Sequence, residues 1–382
     1  MAKVQGTCDA RFKEVEKVLQ GFLDSGDELG LSFVVNIDGE DVVDLWGGFA
    51  DQAKTREWEK DTITTVWSTS KTIVSLAVLM LIDRDLISPY DKVSKHWPEF
   101  GANGKEDIEV RRLISHMSGV SGWDSDMAIE DLYDLPKSTA LLAKQAPWWT
   151  PGTQSGYHSI TMGHLNGELV RRVTGKTLRE FIADEIAAPL AADFRLGAKE
   201  EDWPRVAEII PPPALGAPPP GVMDPGSVAM KTLGNPPMDA SVANTDAWRR
   251  AEVPAANGHA NARGVVRMLS AIANGGQVGG TKLLSPKTID LIFEEQFKGT
   301  DLVLGKQIRL GIGYGLSWKE SIASWLPEGR LCFWGGWGGS LGIVDVDRKV
   351  TISFVMNKMA MSAFGSDCGK AAVAAVYKAI GV

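Results

Sequence analysis

Ser68 and Lys71, three residues apart, open a mostly apolar, helix-compatible stretch that runs to about Ile82. If Ser68 starts that helix, the i, i+3 spacing stacks both side chains on one face, one turn apart. A serine hydroxyl at its free pKa is a poor nucleophile and needs a base beside it. A lysine half-buried by apolar neighbours can be pushed down in pKa far enough to serve. The helix N-terminus adds unpaired N–H groups suited to a developing oxyanion. The pattern occurs once in the chain, and by itself it also fits a serine cap followed by a surface lysine.

Two later motifs can complete such a site. Tyr157-His158-Ser159 follows Pro147-Trp148-Trp149-Thr150-Pro151-Gly152-Thr153-Gln154-Ser155-Gly156, a shaped, low-entropy loop that offers a phenol and a hydroxyl to a cleft wall. A tyrosine near a protonated lysine is stabilised as phenolate and can relay the serine proton. Trp334-Gly335-Gly336-Trp337-Gly338-Gly339-Ser340 reads as a strand edge, where glycines let a substrate approach the backbone. The Trp337 N–H can pair there with that of Ser68 to bind an oxyanion. No helix or Lys-Ser/Thr follows, so a phosphate loop is excluded. His116, in Leu113-Ile114-Ser115-His116-Met117-Ser118-Gly119, is read as a capping or core-bonding histidine.

The elements that must hold these groups come from both ends of the chain. Residues 10–24 carry apolar positions at helical spacing, and Asp38-Gly39 separates two strand-like runs as a hairpin turn. Residues 66–270 read as helices and loops. Arg330–Trp334, Ser340–Val346 and Val350–Asn357 read as strands before a helix over 366–380. The expected fold is α/β (α+β). One antiparallel sheet of five or more strands, flanked by terminal helices, is built from 1–65 and 285–382, with a mainly helical segment, 66–284, inserted. Residues 204–237 hold ten of the nineteen prolines. They read either as a surface linker or as a lid or wall over a pocket.

Composition narrows the function classes. The 382 residues, 44% hydrophobic, can bury a large core. A net charge of -8 with no basic block argues against nucleic acid and anionic membrane as partners. No secretory h-region begins the sequence, and the longest apolar run is too short to span a bilayer. Three scattered cysteines fit a reducing, cytoplasmic setting. The five histidines show no metal-ligand spacing, so neither metal nor cofactor is expected.

Together these motifs resemble the serine β-lactamase-like superfamily, with a class C-like fold, and within it the family VIII carboxylesterase branch. The resemblance rests on Ser68-Thr69-Ser70-Lys71, the Leu113–Gly119 run, Pro151-Gly152 before Tyr157-His158-Ser159, Asn257-Gly258-His259-Ala260-Asn261-Ala262-Arg263, and Trp334-Gly335-Gly336. It implies a β-lactamase/transpeptidase-like fold with the cleft between sheet and helices. Ser68 would be the acylated nucleophile, Lys71 its proton acceptor and Tyr157 the general base. The N–H groups of Ser68 and Trp337 would form the oxyanion hole. Ser159 stands where the family often has asparagine, as a polar contact to Lys71 or substrate. Substrate contacts are expected from Ser159, Trp148, Trp334, Gly335, Gly336 and His259, with Trp149 and Trp337 also at the rim.

β-Lactamases and penicillin-binding proteins typically carry K-T-G where this chain has Trp334, Gly335 and Gly336. An indole offers one donor and a large apolar face in place of a cation and a hydroxyl. Carboxylate recognition is thereby weakened and a bulky or apolar small-molecule ester favoured. The expected activity is a serine carboxylesterase, possible natural esters including secondary metabolites. The chain is also similar to fungal polyketide acyltransferases of this superfamily, which would imply a carrier-bound or thioester acyl donor. A β-lactamase and a non-catalytic binding protein are weaker readings.

Overall fold

The structure, a computed structural model, describes residues 3–213, 224 and 226–382. The run Pro218-Pro219-Pro220, inside the 204–237 segment, lies outside the described residues. The first strands are β1 (Val4–Cys8), β2 (Gly30–Ile37) and β3 (Glu40–Gly48). The short strands β4 (Thr64–Thr65), β5 (Phe194–Leu196), β6 (Gly258–Ala260), β7 (Gln277–Val278) and β8 (Thr281–Lys282) follow. The remaining strands are β9 (Phe297–Thr300), β10 (Gln307–Leu310), β11 (Gly315–Leu316), β12 (Leu331–Gly335), β13 (Leu341–Asp345) and β14 (Val350–Met356).

Nine strands form one antiparallel sheet in the order β1-β3-β2-β14-β13-β12-β11-β10-β9. The chain ends meet at its centre, where β14 pairs with β2 from Val350 opposite Ile37 to Met356 opposite Leu31. At the β2–β3 turn both Asp38 and Gly39 take positive φ, 50° and 92°. That backbone matches the twist of antiparallel strands. Strands β1 at one edge and β11, β10 and β9 toward the other extend the sheet beyond the five strands legible in the sequence. β1 contains Gly6 and is exposed at its middle three residues, so it shows no apolar alternation.

Helices cover both faces. The terminal helices Lys13–Ser25 and Asp367–Ala379 pack together on one face, where Gly369 meets Leu341 and Phe354. On the opposite face Gly342 meets Leu269 of the helix Ala262–Ala273, and Thr69 and Thr72. The helix Ala262–Ala273 therefore covers the sheet, although the division at 66–284 assigns it to the helical segment. Its N-cap Asn261 accepts the Gly264 N–H, and Arg263 grips Asp44 of β3 with two bonds of 2.8 and 2.6 Å. The helix Ser70–Asp83 is buried at every residue from Ser70 to Ile82. A helix apolar all round belongs in the middle of a large core, and this one carries Lys71 inside with it. No helix among the described residues is long and apolar enough to cross a membrane.

Candidate active site

Ser68 lies in a tight 3-10 turn, Trp67–Thr69, immediately before the α-helix that begins at Ser70. Trp67 there has φ 48°, a left-handed backbone that an aromatic residue holds only when its surroundings over-determine it. They do. The Val66 N–H donates to the Gly258 carbonyl (2.8 Å). The Ser70 hydroxyl donates to the Trp67 carbonyl (2.6 Å) and accepts the Gly258 N–H (2.9 Å). The Thr69 hydroxyl donates to that of Ser340 (2.8 Å), which donates onward to the Val66 carbonyl (2.8 Å). The Trp67 ring packs between Trp248 and Trp337, at centroid distances of 5.6 and 5.1 Å.

Lys71 is buried one turn on, and its Nζ has three oxygen neighbours: Ser68 Oγ (2.9 Å) and the carbonyls of Ser159 (2.7 Å) and Ala255 (3.0 Å). Burial pushes its pKa well below the ordinary lysine value. A neutral amine has two N–H groups and one lone pair. The two carbonyls take the N–H groups, which leaves the lone pair facing the Ser68 hydroxyl. Asn257 fixes the Ala255 carbonyl's segment by accepting the Val253 N–H and donating to the Trp248 and Ala251 carbonyls.

Tyr157 donates its phenol proton to Ser68 Oγ at 2.7 Å, and Lys71 Nζ sits 4.9 Å from its ring centre. Burial pushes the phenol up to about 12, against the opposing pull of its hydrogen bond with Ser68, and the charge of Asp301 adds to the rise. The phenolate expected beside a protonated lysine is thus disfavoured on both counts: burial favours the neutral form of each partner. His116 stands behind this group in left-handed backbone (φ 63°) after the helix Val110–Ile114, its Nδ1 accepting the His158 N–H. Its ring packs against Tyr157 and Trp334, 5.2 and 5.4 Å away, and burial holds it neutral.

Ser68, Tyr157, Ser159, Gly335 and Trp337 line one cleft of about 370 Å³, whose other walls include Trp67, Ile160, Leu233, Met238, Leu304 and Phe364. Thr232, Leu233, Asn235 and Pro236, in the tail of the proline-rich segment, form part of the wall, with Met238 just beyond it. Asn235 ties it to the Trp123–Met127 loop by accepting the Met127 N–H and donating to the Trp123 and Ser125 carbonyls. These apolar wall residues carry no sequence signal that separates them from core.

Four expected substrate contacts lie elsewhere. His259 is fully buried in β6 between Thr65 and the Asn257 carbonyl, and burial pushes its pKa down to about 4. Trp148 turns away to donate to Asp124 (2.7 Å) under the Lys231 ammonium. Trp334 is 3% exposed and backs Tyr157 at 5.5 Å rather than facing the cleft. Gly336 meets the protein's own backbone: a Cβ there would stand 2.4 Å from the Val66 carbonyl oxygen and 2.2 Å from Ser340 Oγ. Gly335, though on the cleft, is likewise pressed against the Ala363 carbonyl. Trp149 is tied back to the Gln154 carbonyl of its own loop. Ser159 meets Lys71 through its carbonyl, not its hydroxyl.

A larger cavity, about 450 Å³ and lined by Trp97, Leu178 and Pro254 among others, contains none of the Ser68, Lys71 and Tyr157 side chains. The chain matches the family model described as Beta-lactamase from residue 15 to residue 376. It belongs to the β-lactamase family. Among β-lactamase-family relatives it is 33% identical over 372 residues to the esterase/beta-lactamase LipL of Mycobacterium tuberculosis, covering 94% of this chain and 83% of that protein. A family VIII carboxylesterase superposes with a TM-score of 0.91 at 37% identity, over 99% of this chain and 100% of the other. A penicillin-binding protein homologue from Caulobacter crescentus does so with a TM-score of 0.90 at 33% identity, over 99% and 100%. The β-lactamase/transpeptidase-like fold and the placement in this family therefore stand.

Proposed function

We propose that this β-lactamase-family chain is a serine carboxylesterase acting through a Ser68 acyl-enzyme. The observation that carries the reading is the pair of contacts on one oxygen: Lys71 Nζ at 2.9 Å and Tyr157 OH at 2.7 Å from Ser68 Oγ. Neutral Lys71 takes the Ser68 proton as Oγ attacks the ester carbonyl. The N–H groups of Ser68 and Trp337 receive the oxyanion. As the tetrahedral intermediate collapses, Tyr157 gives its proton to the departing alkoxide and regains one from the Lys71 ammonium. Water then attacks the acyl-enzyme, its proton passing through Tyr157, which hands its own to neutral Lys71; as the intermediate collapses, the Lys71 ammonium returns a proton to Ser68 Oγ and the acid leaves.

The cleft supports an ester over a β-lactam. Among its described lining residues there is no lysine or arginine, and the polar ones are Ser68, Tyr157, Ser159, Thr232 and Asn235. A substrate carboxylate would find no fixed cation there, whereas an apolar acyl or alcohol group would find Leu233, Met238, Leu304 and Phe364. The similarity to a family VIII carboxylesterase at 37% identity points the same way.

The test is turnover of p-nitrophenyl butyrate, with fluorophosphonate labelling of Ser68. Ser68→Ala should abolish both. Tyr157→Phe should cost roughly two to four orders of magnitude in kcat/KM, the range for losing general acid–base help. A Ser68→Ala protein that still hydrolyses the ester would refute the reading.

A further inference from the structure

Behind the tyrosine stands a buried carboxylate. Asp301, in the turn between β9 and β10, is 1% exposed. Its Oδ1 accepts the backbone N–H groups of Tyr157 (3.0 Å), Val303 (2.9 Å) and Leu304 (2.9 Å), and its Oδ2 accepts the Ser155 hydroxyl (2.5 Å). All four donors are neutral. A carboxylate out of water is tolerable only when hydrogen bonds replace its hydration, and here they come from two segments far apart in sequence.

What those segments do gives the carboxylate its meaning. Ser155 and Tyr157 belong to the irregular loop ahead of the helix Thr161–Thr174, so no strand ladder or helix of its own fixes the tyrosine. The partner turn docks on that loop a second time, through the Leu302 N–H to the Ser155 carbonyl (2.8 Å). Val303 and Leu304 share an apolar cluster with Tyr157 and Trp334, and Leu304 also lines the cleft. Asp301 thus bonds in one stroke the backbone of Tyr157 and the backbone of a cleft wall.

We infer that Asp301 is the positioning residue for Tyr157, holding the loop so that the phenol oxygen meets Ser68 Oγ at hydrogen-bond distance. This rests on the role proposed above for Tyr157. A misplacement of about 1 Å in such a group costs on the order of 10²-fold in rate, and the bond from the Tyr157 N–H holds that residue's own backbone.

The test is a double-mutant cycle, read as kcat and KM for p-nitrophenyl butyrate and as the rate of fluorophosphonate labelling. Asp301→Asn keeps an oxygen for the three N–H groups and offers Ser155 an N–H in place of the second oxygen. Asp301→Ala removes every bond. In the parent, Asp301→Ala should lose about 100-fold in kcat with KM within about threefold, and Asp301→Asn should recover to within about tenfold of the parent. In a Tyr157→Phe background both should cost less than about twofold, because the group being positioned is gone. Equal losses in the two backgrounds, or an undiminished kcat in Asp301→Ala, overturn the inference. If Asp301→Ala does not fold, Asp301→Asn and Ser155→Ala carry the same cycle. A loss confined to the parent supports the inference; no loss in either variant, or a loss that persists without the phenol, overturns it. Full activity in Tyr157→Phe alone would instead refute the role of the tyrosine, so the two failures are distinct.

Discussion

Gly336→Ala separates two readings of the glycine-rich turn. If the glycine exists to admit substrate, a methyl group should raise KM. The contacts say otherwise. The new Cβ would lie 2.2 Å from Ser340 Oγ, 2.4 Å from the Val66 carbonyl oxygen and 3.2 Å from Trp67 Cβ. Relief to an ordinary contact requires about 1 Å of movement at the carbonyl, which is backbone two residues before Ser68. Ser340 can rotate away only by giving up its bonds to Val66 and Thr69, the bonds that hold the strained Trp67 turn. Overpacking of this kind costs about 1–3 kcal/mol, a fall in Tm of about 1–4 °C for a chain of this size. The larger effect is on rate: a shift of about 1 Å in the nucleophile costs on the order of 10²-fold in kcat. Steady-state kinetics with p-nitrophenyl butyrate, beside calorimetry, reads both. Gly21→Ala is the control, since a Cβ there meets nothing within 4 Å in the helix Lys13–Ser25. A Gly336→Ala enzyme with parental kcat and a raised KM would refute the reasoning.

Two further outcomes depend on ionisation. Because burial depresses Lys71 and the proposed mechanism needs it neutral, kcat/KM should fall as the pH drops through that depressed value. Lys71→Ala should abolish this acid limb and cost roughly two to four orders of magnitude, so a limb that persists in the variant counts against Lys71 as base. His158 and His259 are pushed down by burial to about 4 from 6.5, so between these values the unfolded chain binds more protons than the folded one. Their contribution to stability is present above 6.5 and is lost as the pH falls toward 4, by up to about 3 kcal/mol apiece. Thermal melts at pH 7.5 and pH 4.5 of the parent beside His158→Gln and His259→Gln check this, and a parent whose Tm falls no further than the variants' would mean that these rings are not buried neutral.

Much of the site was legible in the sequence because its chemistry is local or its residue types are rare. The i, i+3 spacing of Ser68 and Lys71 sets them one turn apart whatever surrounds them, and Asp38-Gly39 writes its hairpin in two residues. Alternating apolar runs at the two chain ends announced the centre of the sheet. Direction and burial were not legible, since they depend on what arrives from elsewhere in the chain. Nothing near Trp334 says that its indole turns inward onto Tyr157, nor that Gly336 is crowded by a carbonyl about 270 residues earlier. His259, expected from the resemblance as a substrate contact, is a bonded core residue in the fold, because β6 is pinned between β4 and β5.

The sequence by itself singled out Ser68, Lys71 and Tyr157 as the candidate chemistry and carried the family resemblance, for these rest on residue type, spacing and order. Only the tertiary structure showed which protonation states burial favours in the site. Burial of the whole Ser70–Ile82 helix, with two carbonyls closing on one amine, favours a neutral lysine and a neutral phenol over the ion pair that proximity alone suggests. Solvation is a property of the folded surroundings, and no spacing of residues along a chain encodes it.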